Sequence, residues 1–365
     1  MALLALVKPG VVKPRSGESD WMNALRSTEE GLWTSLSTHG SQRRQHLSGN
    51  ATYVLSDAIK WLADLPQNSI HAIVTDPPYG VIEYEEKDQQ KLRSGRGGVW
   101  RIPPSFDGAT RSPLPRFTVL SQDEIANVHS FFSAVAFGML RALVPGGHVF
   151  IASNPLLSTM TFHALQAAGF EKRGEVIRLV QTLRGGFKPK GSEEEFADVS
   201  GMPRSCWEPW GIFRKRFDGT MADNLREWGT GGLRRTSKAE PFKDVIVCSP
   251  MRGAEKEIAP HPSLKPQRFL RQIVRAALPL GVGIVYDPFA GSGSTLAAAE
   301  ANGYRSIGTD RDPHYFNMAR GHSPSWQLYR LRSGDPSGTL QRFRGWLSKA
   351  EILGGLAGCL YRLLE

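Results

Sequence analysis

Three short stretches of the chain combine residue types that could do chemistry. Asp76-Pro77-Pro78-Tyr79 sets a carboxylate beside two prolines and an aromatic ring. Prolines fix the backbone, and that rigidity can hold the Asp76 carboxylate and the Pro77 carbonyl as paired acceptors. With Tyr79 as a stacking face, the set suits an exocyclic NH2 on a nucleobase; a plain proline turn is the competing reading. The second stretch is Asp287-Pro288-Phe289-Ala290-Gly291-Ser292-Gly293-Ser294-Thr295. Its small residues let a ligand approach the backbone, and a helix start there offers free amides. It has G-x-G-S-T rather than the full dinucleotide fingerprint, and lacks the lysine of a phosphate loop. The leading Asp287 suits a cationic ligand better than a pyrophosphate. Asp310 follows at the end of the next predicted strand, where an acid can bind both hydroxyls of a ribose. The two acids favour an adenosyl ligand over an ordinary tight turn. The third stretch, His261-Pro262-Ser263-Leu264-Lys265-Pro266, is by itself only a helix start with proline near the first turn.

Positioning these groups calls for alternating strands and helices. Apolar patterning predicts strands at Ala51–Leu55, His71–Thr75, His148–Ala152, Glu175–Gln181, Gly283–Tyr286 and Arg305–Thr309. It predicts helices at Asp57–Leu65, Gln122–Leu143, Leu156–Ala168, Pro266–Leu278 and Ser294–Ala301. The alternation marks an α/β fold with a parallel sheet, whose ligands bind at the carboxyl ends of the strands. Residues 1–48 read as a weakly structured extension, and 323–365 as a tail without evident chemistry. Residues 183–258, rich in Gly, Trp and Arg, break the alternation. Residues 83–120 form a basic loop in which Lys91, Arg93, Arg96, Arg101, Arg111 and Arg116 meet a single acid after position 88, Asp107.

Composition narrows the partners. The 365 residues carry 45 Lys and Arg against 35 Asp and Glu, a net charge of +10. Such a chain attracts polyanions, nucleic acid first among them, although a basic and unspecialised surface would give the same balance. No apolar run approaches the ~20 residues that span a bilayer, so no membrane association is expected. Cys206, Cys248 and Cys359 lie too far apart for a disulfide framework or a zinc finger. They fit a reducing cytoplasm, and no metal is expected.

Taken together and in this order, the three stretches resemble the amino-group DNA methyltransferases of the beta class, whose catalytic half precedes the cofactor half. The likeness runs from about residue 49 to 320, and Trp228-Gly229-Thr230-Gly231-Gly232-Leu233-Arg234-Arg235 also looks like bacterial members of that family. The resemblance implies a Rossmann-like methyltransferase sheet with helices on both faces, a circularly permuted motif order and an inserted target-recognition region. It divides the chain into a catalytic half, 49–182, a recognition insertion, 183–258, and a cofactor half, 259–322.

The resemblance further implies S-adenosylmethionine as cofactor and double-stranded DNA as substrate. Asp287, Phe289, Gly291 and Gly293 would wrap the methionine part, Asp310 the ribose, and Asp57 would lie near the adenine. Ser263 and Lys265 would close over the cofactor. Asp310 departs from the family in standing where Glu is commoner. Asp76, Pro77, Pro78 and Tyr79 would receive a base flipped out of the duplex. An Asp before Pro-Pro-Tyr favours adenine N6 over cytosine N4. Arg93, Arg96 and Arg101, and in the insertion Arg214, Arg234, Arg235 and Lys238, are the candidate DNA contacts. A bacterial or phage cytoplasm, near the nucleoid, is the implied setting, with room for a restriction-endonuclease partner and a homodimer. Methylation of RNA or of protein glutamine, where similar motifs often begin with Asn, and a non-catalytic DNA-binding descendant are the alternatives. The missing third glycine and the lack of a hydride-transfer partner argue against an NAD oxidoreductase.

Overall fold

The run Ile-His-Ala-Ile-Val-Thr at residues 70–75 is buried along its whole length, so it has no side to offer water. Such a strand needs neighbours in the sheet and helices over both faces. The computed structural model supplies them; it describes residues 19–40, 43–78, 98–99, 114–115, 122–180, 186, 188–248 and 265–319, all within the unit Met1–Arg320.

The first described elements are α1 (Asp20–Ser37), β1 (Arg43–Ser48), β2 (Ala51–Leu55), α2 (Ala58–Asp64) and β3 (Ile70–Thr75). Two short strands follow, β4 (Gly98–Val99) and β5 (Leu114–Pro115), then α3 (Gln122–Ala142), β6 (Leu143–Ala152) and α4 (Ser158–Ala167). Next come β7 (Glu171–Leu179), β8 (Trp207–Arg214), α5 (Met221–Trp228) and β9 (Val245–Val247). The last are α6 (Gln267–Ala277), β10 (Ile284–Asp287), α7 (Ser294–Ala301) and β11 (Arg305–Asp310).

Nine of these strands form one sheet in the order β1-β2-β11-β10-β3-β6-β8-β7-β9. β2, β11, β10, β3 and β6 run parallel, while β8 runs against both of its neighbours. The late pair β10 and β11 therefore lies between the early strands β2 and β3. Alternate residues of β3 feed opposite faces, as a pleated strand requires. Ile73 joins Trp61 of α2, Phe132 and Met139 of α3 and Leu165 of α4 on one face. Val74 joins Phe269, Ile273 and Val274 of α6 and Ala298 of α7 on the other. Among the described residues no helix is long and apolar enough to cross a membrane.

Two expectations are corrected. The segment before residue 49 is not weakly structured where it is described. α1 buries Leu25, Trp33 and Leu36, and Arg305 of β11 ion-pairs with Glu30 and lies 5.6 Å over the Trp33 ring. The stretch 183–258 is not wholly an insertion either. Its β8 is a buried strand of the main sheet, between β6 and β7, and its β9 extends β7. β8 lies in the stretch whose Gly, Trp and Arg content read as a break in the alternation, and it carries Pro209 and Gly211. Yet the Pro209 carbonyl accepts from Ser153 N at 2.9 Å, and a Cβ on Gly211 would stand 2.7 Å from the Phe162 ring of α4. Glycine is needed there for helix-on-sheet packing. The helix expected to Leu143 ends at Ala142, and β6 starts at once, running through Pro145-Gly146-Gly147.

Candidate active site

Parallel strands deliver their carboxyl ends to one edge of the sheet, and four carboxylates stand there in strand order. Asp57 follows β2, Asp310 ends β11, Asp287 ends β10, and Asp76 follows β3. Neighbouring strands lie about 4.8 Å apart, so the row forms a ladder of acids along one edge of the sheet.

Asp287 is buried. Its Oδ1 accepts from the Thr75 hydroxyl at 2.7 Å and from Phe289 N at 3.0 Å. Burial raises its pKa to about 6; bonds from Thr295, Thr75 and Phe289 N work the other way, and nearby Asp76 adds to the rise. Thr75 precedes Asp76, so a single hydroxyl joins the end of β10 to the residue that leads the Asp-Pro-Pro-Tyr stretch.

The glycine turn is built for close approach. Gly291 and Gly293 take φ of 52° and 87°, the left-handed region that disfavours a Cβ. The Tyr53 hydroxyl of β2 donates to the Gly291 carbonyl. A Cβ on Gly308 would stand 2.7 Å from both Ala290 Cβ and Leu296 Cδ1, so β11 accepts no side chain behind the turn. Phe289 is half-buried, with its ring 5.7 Å from that of Phe131. Asp310 is anchored by backbone donors: Gly291 N to Oδ2 at 3.0 Å and Asp312 N to Oδ1 at 2.9 Å. Burial pushes its carboxyl up against those bonds. Asp57 caps α2, its Oδ1 accepting from Ile59 N and Lys60 N, each at 3.1 Å. Ser56 N donates to the Asp310 carbonyl at 2.9 Å, tying the two acids together through backbone.

Lys265 departs from expectation. Its Nζ lies 2.9 Å from Asp76 Oδ2 and 3.2 Å from Glu208 Oε2, so its partners here are two carboxylates outside the glycine turn. Glu208 of β8 also holds Arg178 of β7 at 3.2 Å and accepts from Trp210 Nε1 at 2.8 Å. Burial opposes charge on Glu208, but Lys265, Arg178 and the Trp210 bond bring its pKa down to about 2. Burial likewise opposes charge on Lys265, yet Asp76 and Glu208 hold its pKa above the ordinary value. Sequence reasoning missed Glu208, Arg178, Thr75, Tyr53 and Gly308. Glu208 had no legible signal, because its strand lies in the Gly-, Trp- and Arg-rich stretch read as a break in the alternation.

Pro77 is buried and Pro78 exposed beside Asp76. Tyr79, Ser263, Arg93, Arg96 and Arg101 lie outside the described residues. The other expected DNA contacts lie away from the acid ladder. Arg214 is mostly buried: its Nη2 pairs with Glu171 at 2.7 Å, its Nη1 donates to the Gly231 carbonyl at 2.9 Å, and it sits 4.7 Å over the Phe217 ring. Its partners make it a brace within the fold. Arg234 N donates to the Ala276 carbonyl at the end of α6, and its Nη1 donates to the Tyr304 hydroxyl, just before β11, at 2.6 Å. These partners belong to the amino ends of the strands, the edge opposite the acids. Arg235 and Lys238 are exposed on the same segment, and Arg235 donates to the Ala239 carbonyl at 2.9 Å.

Residues 70–321 match a family model described as DNA methylase. The chain is 24% identical over 286 residues to the type II methyltransferase M.HindIII of Haemophilus influenzae, covering 72% of this chain and 92% of that one. It is 34% identical over 88 residues to the type II methyltransferase M2.DpnII of Streptococcus pneumoniae, covering 24% of this chain and 32% of that one. In fold it is similar to the cytosine-N4-specific PvuII DNA methyltransferase, with a TM-score of 0.50 and 15% identity over 78% of this chain and 93% of that one. The family match takes in more than half of the sequence and runs from β3 through β11, and the chain therefore belongs to the N6/N4 family of DNA methylases.

Proposed function

We propose that the protein transfers a methyl group from S-adenosylmethionine to the exocyclic N6 of an adenine flipped out of double-stranded DNA. The observation that carries this reading is the ladder of Asp57, Asp310, Asp287 and Asp76 on neighbouring strand ends, with Thr75 bridging its last two members. The residues fit the cofactor. A buried carboxylate with a raised pKa gains from a cationic neighbour, and the positive-φ glycines leave backbone room beside it. Asp57, Asp287, Phe289, Gly291, Gly293 and Asp310 would hold the cofactor. S-Adenosylmethionine supplies an electrophilic methyl on a sulfonium.

The chain's own part is to bind, orient and accept a proton. Asp76 and the Pro77 carbonyl would accept hydrogen bonds from the target amine, drawing its lone pair out of conjugation and toward the methyl. The amine exchanges one hydrogen for the methyl, and Asp76 stands as acceptor for the released proton. Tyr79 would stack on the base. Orientation and fixed dipoles account for most of the rate in such a scheme. Arg93, Arg96 and Arg101 would supply phosphate contacts, on the strength of their nearly acid-free stretch of sequence. The type II methyltransferases among the relatives support a role beside a restriction endonuclease in a bacterial cytoplasm.

Cytosine N4 is the second reading, favoured by the fold likeness to a cytosine-N4-specific enzyme. The same acceptor pair serves either amine, while a purine stacks more area on Tyr79. Nucleoside digestion and mass spectrometry of DNA methylated in vitro decides. N6-Methyladenine is expected. N4-Methylcytosine alone would overturn the base and leave amine transfer standing; C5-methylcytosine would overturn both, because that product needs a cysteine nucleophile.

A further inference from the structure

Lys265 is shared between two carboxylates, and only one of them belongs to the base-binding stretch. While its ammonium holds Asp76 Oδ2 at 2.9 Å, that oxygen is engaged by a competitor of the target amine. We infer that Glu208 is a positioning residue for methyl transfer: it draws Lys265 off Asp76 as the amine arrives, so that Oδ2 exchanges the ammonium for the amine of the base. This inference rests on the reading of Asp76 as the acceptor of the target amine.

The geometry says which partner moves. Glu208 is locked on both oxygens, by Trp210 Nε1 at 2.8 Å on Oε1 and by Arg178 Nη1 at 3.2 Å on Oε2. Arg178 is locked in turn, its Nε donating to the Cys248 carbonyl at 3.2 Å and its guanidinium 5.8 Å over the Phe269 ring. Trp210 packs edge-on against Phe269 at 5.2 Å. Glu208 therefore cannot follow a departing lysine. Lys265 has a flexible stem and three donors, and it already touches Glu208 at 3.2 Å, so it can shift its weight without passing through an unpaired state. Asp76, Lys265, Glu208 and Arg178 sum to zero charge, so the shift moves charge only locally. A glutamate held ionised down to about pH 2 remains a sink for the ammonium at any working pH.

The test measures methyl incorporation from labelled S-adenosylmethionine into unmethylated genomic DNA, with cofactor affinity by calorimetry. In Glu208→Gln, Lys265 collapses onto Asp76: kcat/KM for DNA falls about tenfold or more, while cofactor affinity stays within about threefold. Adding Lys265→Met to that variant removes the competitor and restores turnover to the level of Lys265→Met alone. A merely structural Glu208 predicts no rescue. A double variant no better than Glu208→Gln, or a cofactor affinity that falls with turnover, overturns the inference. Should Glu208→Gln fail to fold, Glu208→Asp keeps the charge but draws it back from Lys265. Its smaller loss must also be relieved by Lys265→Met. Asp76→Asn separates the two levels: full turnover in that variant defeats the reading of Asp76 itself, whereas an inactive Asp76→Asn with no rescue at Glu208 defeats only the inference.

Discussion

The two edges of the parallel sheet use charge in opposite ways. The edge at the strand carboxyl ends collects Asp57, Asp310, Asp287 and Asp76, and these acids take backbone amides, hydroxyls and one lysine as partners. The edge at the strand amino ends collects basic groups whose partners are backbone carbonyls together with the carboxylates Glu171 and Glu30. Arg141 donates to the Leu62 and Ala63 carbonyls at the end of α2, at 2.6 and 2.8 Å. Lys215 donates to the Leu143 carbonyl at 2.7 Å, and Arg214 to that of Gly231 at 2.9 Å. In a wound α/β layer, helices start at one edge and end at the other. Their last carbonyls lack intrahelical donors and carry the negative end of the helix dipole. Cations at that edge are consumed by the fold. A net charge of +10 is therefore a poor count of the groups left for DNA.

The comparison breaks first at Asp76. Replacing it with Ala should cost methyl transfer about a thousandfold, with cofactor affinity kept within about threefold. Incorporation assays and calorimetry on the same preparation read both. Near-normal turnover would remove the chemistry from the acid edge.

At the other edge, Arg214→Ala should do the converse. Arg214 is mostly buried but Glu171 is partly exposed, so losing the pair, the Gly231 bond and the packing on Phe217 is expected to cost about 2 kcal/mol of stability. Activity per folded molecule and the salt dependence of DNA binding should not move. Urea denaturation and filter binding at several salt concentrations check the two halves. A preserved midpoint with weakened DNA binding would return Arg214 to the DNA.

Asp287 sharpens the contrast through pH. Its folded pKa, about 6, lies above the ordinary 3.8, so the fold favours the protonated form. The penalty for burying the carboxylate is absent below about pH 4, grows as pH rises toward 6 and is complete above it. Asp287→Asn should therefore gain on the wild type over that window, by about 3 kcal/mol at neutral pH without cofactor. Cofactor affinity should rise over the same window in the wild type and stay flat in the variant. Paired melting and binding curves from pH 4 to pH 8 measure both, and parallel curves would discard the cause assigned to the shift.

The smallest effect belongs to Arg235 and Lys238. Reversing both charges should leave the slope of log affinity against log salt changed by less than about one unit, since their segment lies at the amino edge. A drop of nearly two units would put that edge on DNA.

Much of the acid edge was legible in the sequence because each acid ends an apolar run, and a buried run followed by Asp is a local pattern. Ser294–Ala301 falls within the bounds its periodicity predicted, and the other predicted runs shift by a few residues at most except at β6 and β7, which begin four or more residues early. What escaped was whatever depends on contacts distant in sequence. β8 carries Pro209 and Gly211, turn signals that the packing of Phe162 overrides. α1 has a weakly marked face, and it is held by Arg305, far along the chain. Lys265 was assigned by its place before a helix, but its partner Glu208 is contributed by a strand that was not foreseen. Arg214 and Arg234 looked like surface charge because nothing local reveals a carbonyl waiting across the fold.

The place of β10 and β11 between β2 and β3 also bears on how the protein is made. During synthesis β2 and β3 emerge early, but the two strands that fill the gap between them are among the last described elements to leave the ribosome. Until Asp310 is out, the nascent chain exposes two unsatisfied strand edges, each a template for wrong pairing. Premature termination before β10 yields a product that lacks at least half of the acid ladder, and termination between β10 and β11 one that lacks Asp310. Methylation capacity thus appears all at once, late in translation, and the unfinished chain is a natural client for a chaperone that shields sheet edges.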